Sequence, residues 1–84
     1  MNSVTPMNLY YPTDNEIDIL MEIANKAATS PLIDGDLLDF NVQNLITDEP
    51  RLSIKQLKWW KMVARKIRHD NISFLSIAIN TERV

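Results

Sequence analysis

Three acidic side chains, Asp14, Asp18 and Glu22, are spaced four residues apart near the start of the chain. On a helix this spacing places them on one face, where neighbouring carboxylates could hold a divalent cation or act as an acid–base pair. We predict neither chemistry, because no histidine, glycine-rich loop or second acidic motif accompanies them. Ion pairing with cations elsewhere in the chain, or simple solvation, is the favoured interpretation.

The only histidine, His69, adjoins Asp70, but successive side chains on a helix point in different directions and do not face each other. The chain has no cysteine and only one glycine, Gly35. These absences exclude a thiolate nucleophile, a thiolate metal site, a disulfide and a phosphate-binding glycine loop. We therefore predict a protein that is not an enzyme and has no metal or cofactor, with His69 as a cation at a helix C-terminus.

The elements that would position functional side chains centre on residues 52–69, with the sequence LSIKQLKWWKMVARKIRH. Ser53 followed three residues later by Gln56 matches a helix capping box, which predicts that a helix begins at Ile54. Apolar side chains then recur three and four residues apart, as on the buried face of a helix. That predicted face consists of Ile54, Leu57, Trp60, Ala64 and Ile67, with Val63 beside them.

Seven cations and no acid lie between residues 51 and 69. They are Arg51, Lys55, Lys58, Lys61, Arg65, Lys66 and Arg68. The helix dipole favours cations in the last turn by about 0.3–1 kcal/mol each, but it disfavours Arg51, Lys55 and Lys58 at the opposite end. Such placement, with only Asp48 and Glu49 nearby as partial neutralisers, indicates a binding face. A merely solvated charged face is the alternative.

Trp59 is about 100° round the helix from Trp60, so we expect Trp60 in the core and Trp59 at the edge of the buried face. Tryptophan and arginine dominate the energetics of many protein interfaces, and this helix contains both. A partner-binding site is therefore predicted at Arg51, Lys55, Lys58, Trp59, Lys61, Met62, Arg65 and Lys66.

A second capping pattern, Thr13 followed by Glu16, and an apolar stripe predict a helix over residues 14–28. Pro31 should stop it by Ser30. Ile19 and Ile23 lie off the main stripe and widen the apolar face of this helix. Tyr10 and Tyr11 precede the helix, and their apolar rings with polar tips are suited to an interface. A secondary interface is accordingly predicted at Tyr10, Tyr11, Ile19 and Ile23.

A second helix is predicted over residues 36–46, after the turn signal Asp34-Gly35, with Asp36 as its cap. Its apolar side would consist of Leu37, Leu38, Val42, Leu45 and Ile46. The alternation of Leu38, Phe40 and Val42 also fits a strand, so that alternative stays open. Residues 72–79 are apolar on every side and fit a short buried helix or strand equally.

These elements predict an all-α fold, a compact bundle of three to four short helices with an extended N-terminal arm. A minor two-stranded ribbon remains open as an addition. The arm is assigned to residues 1–12, which have no helical period, and the single helical domain to residues 13–84. A chain of 84 residues buries roughly 60% of its unfolded surface and is only modestly stable, so a homo-oligomer or a larger complex is also open.

The composition, with 45% apolar residues, is that of a folded globular chain, and we expect a soluble cytoplasmic protein. The opening MNSVTPMNLYYPTD has neither a basic region nor an apolar run, so no signal peptide is predicted. The apolar stretch over residues 72–79 is far shorter than the roughly 20 residues that span a bilayer.

The net charge of −2 conceals a division of charge along the chain. Residues 1–50 contain nine acids and one cation, Lys26, whereas all the formally charged residues among 51–69 are cations. We favour partial cancellation, in which the acidic half folds against the basic helix and leaves remnants of both signs exposed. Separate acidic and basic fields facing different partners are the alternative.

The segment Leu52-Ser53-Ile54-Lys55-Gln56, followed by a tryptophan-containing helix, resembles the L-[ST]-x-K-Q helix opening of some small phage-type replication and recombination proteins. The short acidic chain also resembles accessory or host-takeover proteins of phages. The resemblance covers less than a quarter of the chain and brings no catalytic residue with it. It implies a non-enzymatic protein attached to nucleic-acid machinery.

We expect a binding or regulatory module that docks on a protein partner through residues 51–69, in nucleic-acid metabolism or its regulation. Direct nucleic-acid binding is the alternative, because cations displace counterions and Trp59 offers a ring for base stacking. The negative net charge argues against a strong nucleic-acid binder. An amphipathic ligand of a membrane surface or a receptor groove ranks last, because the core needs the apolar stripe.

Overall fold

The computed structural model describes the backbone of residues 9–82 and the side chains of residues 9–79. Within this range the chain forms four helices and one antiparallel ribbon of two short strands, which confirms the predicted helical bundle. The elements in chain order are β1 (Leu9–Tyr10), α1 (Asp14–Ala27), α2 (Gly35–Gln43), β2 (Leu52–Ser53), α3 (Ile54–Lys66) and α4 (Ser73–Glu82).

Both α1 and α3 begin with a complete capping box. The Thr13 hydroxyl accepts the Glu16 N–H at 3.2 Å, and the Glu16 carboxylate accepts the Thr13 N–H at 2.9 Å. The same reciprocal pair joins Ser53 and Gln56, at 3.2 and 2.8 Å. Each pair satisfies two backbone donors that a helix start would otherwise leave without a partner. The predicted starts of these two helices are confirmed.

The second predicted helix exists, but its cap was wrongly assigned. The carboxylate of Asp34 accepts the N–H groups of Asp36 and Leu37, at 2.9 and 3.2 Å, so Asp34 is the cap and Asp36 lies in the first turn. An extended backbone at Asp34 aims its side chain at those donors, as a cap requires. The helix ends at Gln43, and Ile46, which was predicted on its apolar side, is exposed.

Residues 72–79 belong mainly to a helix, α4, which settles the alternative between helix and strand. Leu75, Ala78 and Ile79 of α4 are buried, and the helix packs along α3 and against β1. Burial by more than one neighbour accounts in part for the lack of a single-sided apolar period, and the exposed Ile77, at 64%, accounts for the rest.

The core is organised around α3, which packs against α1, α4 and β2. Trp60 is its largest fully buried side chain. Its indole meets that of Trp59 edge to face, with ring centroids 5.1 Å apart and planes at 80°. The other large side chains with no more than 2% exposure are Leu20, Ile23, Leu52, Leu57, Val63 and Leu75.

The turn between α3 and α4 has a tight backbone geometry. Arg68 has a positive φ of 58°, and the His69 N–H reaches back to the Ala64 carbonyl at 2.9 Å while the Arg68 N–H bonds the Arg65 carbonyl at 3.2 Å. This bonding pattern is a Schellman motif, which ends a helix and reverses the chain within a few residues. It brings α4 back along α3.

The ribbon ties Tyr10 to the domain. Leu9 lies opposite Ser53 and Tyr10 opposite Leu52. The Tyr10 hydroxyl donates to the Glu16 carboxylate at 2.7 Å, so the carboxylate that caps α1 also holds β1. Burial, together with the hydrogen bond to Glu16 and its negative charge, raises the pKa of Tyr10 to about 12.

We expect the free energy of unfolding to fall as pH rises from about 10 to about 12. Unfolded Tyr10 has the ordinary pKa of 10.0 and loses its proton first, whereas folded Tyr10 keeps it until about pH 12, so the contribution present below pH 10 is lost across this interval. The measured quantity is the difference in the free energy of unfolding between wild type and Tyr10→Phe, obtained from urea melts across this pH interval. Equal pH slopes for both proteins would contradict the expectation.

Replacing Trp60 should lower the free energy of unfolding far more than replacing Trp59. We expect Trp60→Ala to lower the free energy of unfolding by about 3–5 kcal/mol, because it leaves a cavity in the core. Trp59→Ala, the matched control, should cost about 1 kcal/mol for the lost edge-to-face contact. Urea melts followed by circular dichroism measure both, and equal losses would refute the assignment of Trp60 to the core and Trp59 to its edge.

Candidate functional site

The eight side chains predicted to bind a partner fall into three separate surface depressions. The first, here called the basic groove, has a volume of about 470 Å³ and is lined by Lys58, Lys61, Met62, Arg65 and Lys66 of α3 and Ile79 of α4. The second, here called the aromatic groove, has about 280 Å³ and is lined by Leu37, Phe40 and Asn41 of α2 and Lys55, Gln56 and Trp59 of α3. The third, about 370 Å³, is lined by Asn44, Thr47, Asp48, Glu49 and Arg51.

The basic groove combines charge with an apolar surface. Its four cations lie within nine residues of α3, a span of about 12 Å along the axis. Met62, 38% exposed, and the nearly buried Ile79 supply apolar surface between them. Lysine and arginine stems add further apolar surface while their charged ends reach water. Five of the eight predicted residues thus share one concave site.

The cations of this groove have no carboxylate within 4.0 Å among the described side chains. Among the side chains the structure describes, the Glu22 carboxylate lies 3.5 Å from the His69 imidazole, and no lysine or arginine has a carboxylate within 4.0 Å. Partial cancellation of the basic helix by the acidic half was the favoured prediction, and among the described side chains the contact between His69 and Glu22 is the one direct contact of that kind. Within the described part of the chain, the four cations of the basic groove thus have no direct ion-pair partner.

Arg51 lies apart from the basic groove. It shares the third depression with Asp48 and Glu49, the two acids predicted to neutralise the start of α3. All three side chains are exposed, and neither carboxylate is within 4.0 Å of Arg51 among the described contacts. This depression contains charges of both signs, so it is less suited to a strongly acidic ligand than the basic groove is.

Trp59 is half-buried at the edge of the core, as predicted, and faces the aromatic groove rather than the basic one. Sequence reasoning missed the α2 side of that groove. Leu37 is 47% exposed and Phe40 is 61% exposed, although Leu37 was predicted on the buried side of its helix. One sequence pattern could have predicted this exposure. The spacing of Leu38, Asn41, Val42 and Leu45 forms a helical stripe that leaves Leu37 and Phe40 outside it.

The four residues predicted to form a secondary interface also differ in their exposure. Tyr11 is 51% exposed, whereas Tyr10 and Ile19 are half-buried against the core. Ile23 is fully buried, so its prediction as an interface residue is wrong. It faces inward because it continues the α1 stripe of Leu20, Ala24 and Ala27.

His69 holds the turn between α3 and α4 against α1. Its Nε2 is 3.5 Å from the Glu22 carboxylate, and its Nδ1 accepts the Asn71 N–H at 3.3 Å. The imidazole is 7% exposed, so both ring nitrogens are used in local structure. Of the acidic triplet, only Glu22 lies within 4.0 Å of a described histidine, lysine or arginine side chain. Within the described residues, no group of three His, Cys, Asp or Glu is placed to hold a metal ion.

Compared with known proteins, the chain matches no family model, no curated sequence and no solved structure. The phage-type resemblance of the α3 opening therefore stays a prediction. None of the helices within residues 9–82 is both long and apolar enough to cross a membrane.

Proposed function

We propose that this protein is a non-catalytic binding module whose basic groove docks an acidic segment of a protein partner. The observation that carries the proposal is a cluster of four cations around apolar surface, with no described carboxylate within 4.0 Å of any of them. Charge-assisted hydrogen bonds from lysine and arginine to carboxylates are stronger than neutral ones. The proposal includes a role in nucleic-acid metabolism or its regulation, which the resemblance of the α3 opening implies, and a cytoplasmic location, which rests on the composition and N-terminal sequence alone.

The apolar floor favours a protein ligand over a nucleic-acid backbone. Met62 offers contact to an aliphatic or aromatic side chain, and methionine adapts to irregular partners. A helix or turn that presents one apolar side chain between carboxylates would match both features of the groove. The net charge of −2 would repel an extended polyanion beyond the groove itself.

Direct nucleic-acid binding is the second candidate, favoured by the placement of the four cations along one helix face. Phosphate contacts made by lysine and arginine release counterions and give a steep salt dependence. A free amphipathic helix that inserts into a membrane or receptor groove is disfavoured. Leu57, Trp60 and Val63 would have to leave the core to form its apolar face.

Charge reversal in the groove tests the proposal. Arg65→Glu, used as bait in co-purification from the native cell, should lose a protein that wild type retains, because it places a carboxylate against the acidic ligand. Lys26→Glu is the matched control, since it changes the net charge equally on an exposed position of α1 outside the groove. In titrations with the purified partner, Arg65→Glu should weaken binding by about tenfold or more, equivalent to about 1.4 kcal/mol.

Two results would contradict the proposal. One is a partner bound equally by wild type and Arg65→Glu. The other is retention of nucleic acid in place of protein, with log affinity falling against log salt at about −0.9 per phosphate contacted. That second outcome would establish the alternative candidate at the same groove.

A further inference from the structure

We propose that the aromatic groove binds an aromatic residue at the C-terminus of a protein partner, with the terminal carboxylate at Lys55 and Gln56. The groove lies between α2 and α3 and shares no lining residue with the basic groove. It is therefore a second docking site, beyond the function assigned to the basic groove. Its lining side chains offer an apolar surface, donors for an anion and one buried acceptor.

Three large apolar side chains line the groove. Leu37 and Phe40 of α2 are exposed, and the half-buried Trp59 lies on α3. Exposed apolar side chains that line one concavity, unlike scattered single ones, mark an interaction surface. Aromatic rings gain more from packing on one another than their buried area alone provides, which favours an aromatic occupant. The volume of about 280 Å³ is just below that of ligand pockets, roughly 300–1,000 Å³, so the groove holds about one residue.

The polar side chains of the α3 wall are donors. Among the described residues that line the groove, Lys55 is the one with a charge, and no described carboxylate lies within 4.0 Å of it. The Gln56 side-chain oxygen accepts the Ser53 N–H in the capping box, which leaves the amide nitrogen as a donor. Both residues lie in the first turn of α3, where the positive end of the helix dipole favours an anion. This wall therefore selects a carboxylate.

The α2 wall supplies an acceptor. Asn41 is 5% exposed and lines the groove. Its amide nitrogen donates to the Leu37 carbonyl at 2.8 Å, whereas its oxygen has no described hydrogen bond. Among the described side chains, the Trp60 Nε1 is the one fully buried polar atom without a partner, so the Asn41 oxygen is still accessible at the surface that Asn41 lines. A buried acceptor of this kind requires a donor, and an N–H of the occupant would provide it.

A C-terminal aromatic residue matches all three features. Its ring would pack on the apolar side chains, its carboxylate would meet Lys55 and Gln56, and its backbone N–H would donate to Asn41. An acidic residue within a chain would carry the charge on a different residue from the ring, so two residues would have to enter a groove that holds about one. A basic occupant would be repelled by Lys55. Capture of a terminal carboxylate is a recurring mode of peptide recognition.

Peptide titration of the full chain, followed by tryptophan fluorescence, tests the proposal. The probe is an acetylated peptide Gly-Ser-Gly-Ser-Phe with a free carboxylate, and its C-terminally amidated form is the control. We expect a Kd below about 1 mM for the free acid. The amide should bind about tenfold more weakly or worse, because it loses charge-assisted hydrogen bonds. An amidated peptide Gly-Ser-Gly-Glu-Phe, with its charge on an internal residue, should bind within about twofold of the first amide.

Variants locate the binding site in the aromatic groove. Lys55→Met removes the charge, so it should weaken binding of the free acid about tenfold and bring acid and amide to within about twofold of each other. Lys26→Met is the matched control, since Lys26 is an exposed cation of α1 that lines none of the three depressions. It should preserve the difference between acid and amide. Arg65→Glu should preserve it too, which separates this site from the function of the basic groove.

The apolar contact has its own pair of variants. Phe40→Ser should weaken binding of acid and amide alike by about fivefold or more, whereas Leu32→Ser should change neither by more than about twofold. Leu32 is 63% exposed but lines none of the three depressions. Circular dichroism verifies that each variant is folded. The absence of binding up to about 1 mM, equal affinity for acid and amide, equal affinity for the internal acid, or indifference to Lys55→Met would each overturn the proposal.

Discussion

The burial of one face of α3 is the constraint on which the rest of the molecule depends. Leu57, Trp60 and Val63 are sealed by α1, α4 and β2, and this fixes the rotation of the helix about its axis. The cations that alternate with them in sequence are thereby turned outward. Rotating α3 to bring those cations toward the acidic half would expose Trp60 to water. The outward placement of the groove's cations is thus a consequence of core packing as well as of composition.

Trp59 connects the core to the surface. Its ring packs edge to face on Trp60 and at the same time lines the aromatic groove beside Lys55. Gln56 has a comparable double role, because the side chain that completes the α3 capping box also forms part of the groove wall. Side chains that are held by the core or by a cap lose little conformational freedom on binding, which favours association.

Local signals in the sequence predict the starts of α1 and α3, because a capping box is formed by residues only three apart. The cap of α2 was misassigned because Asp34 and Asp36 are chemically equivalent, and only the extended backbone at Asp34 distinguishes them. The ribbon depends on pairing between strands that are distant in sequence, and α4 is apolar on several sides, so neither has a decisive local pattern. Likewise the cations could be predicted as surface residues, but their division among three depressions depends on where α2 and α4 pack against α3.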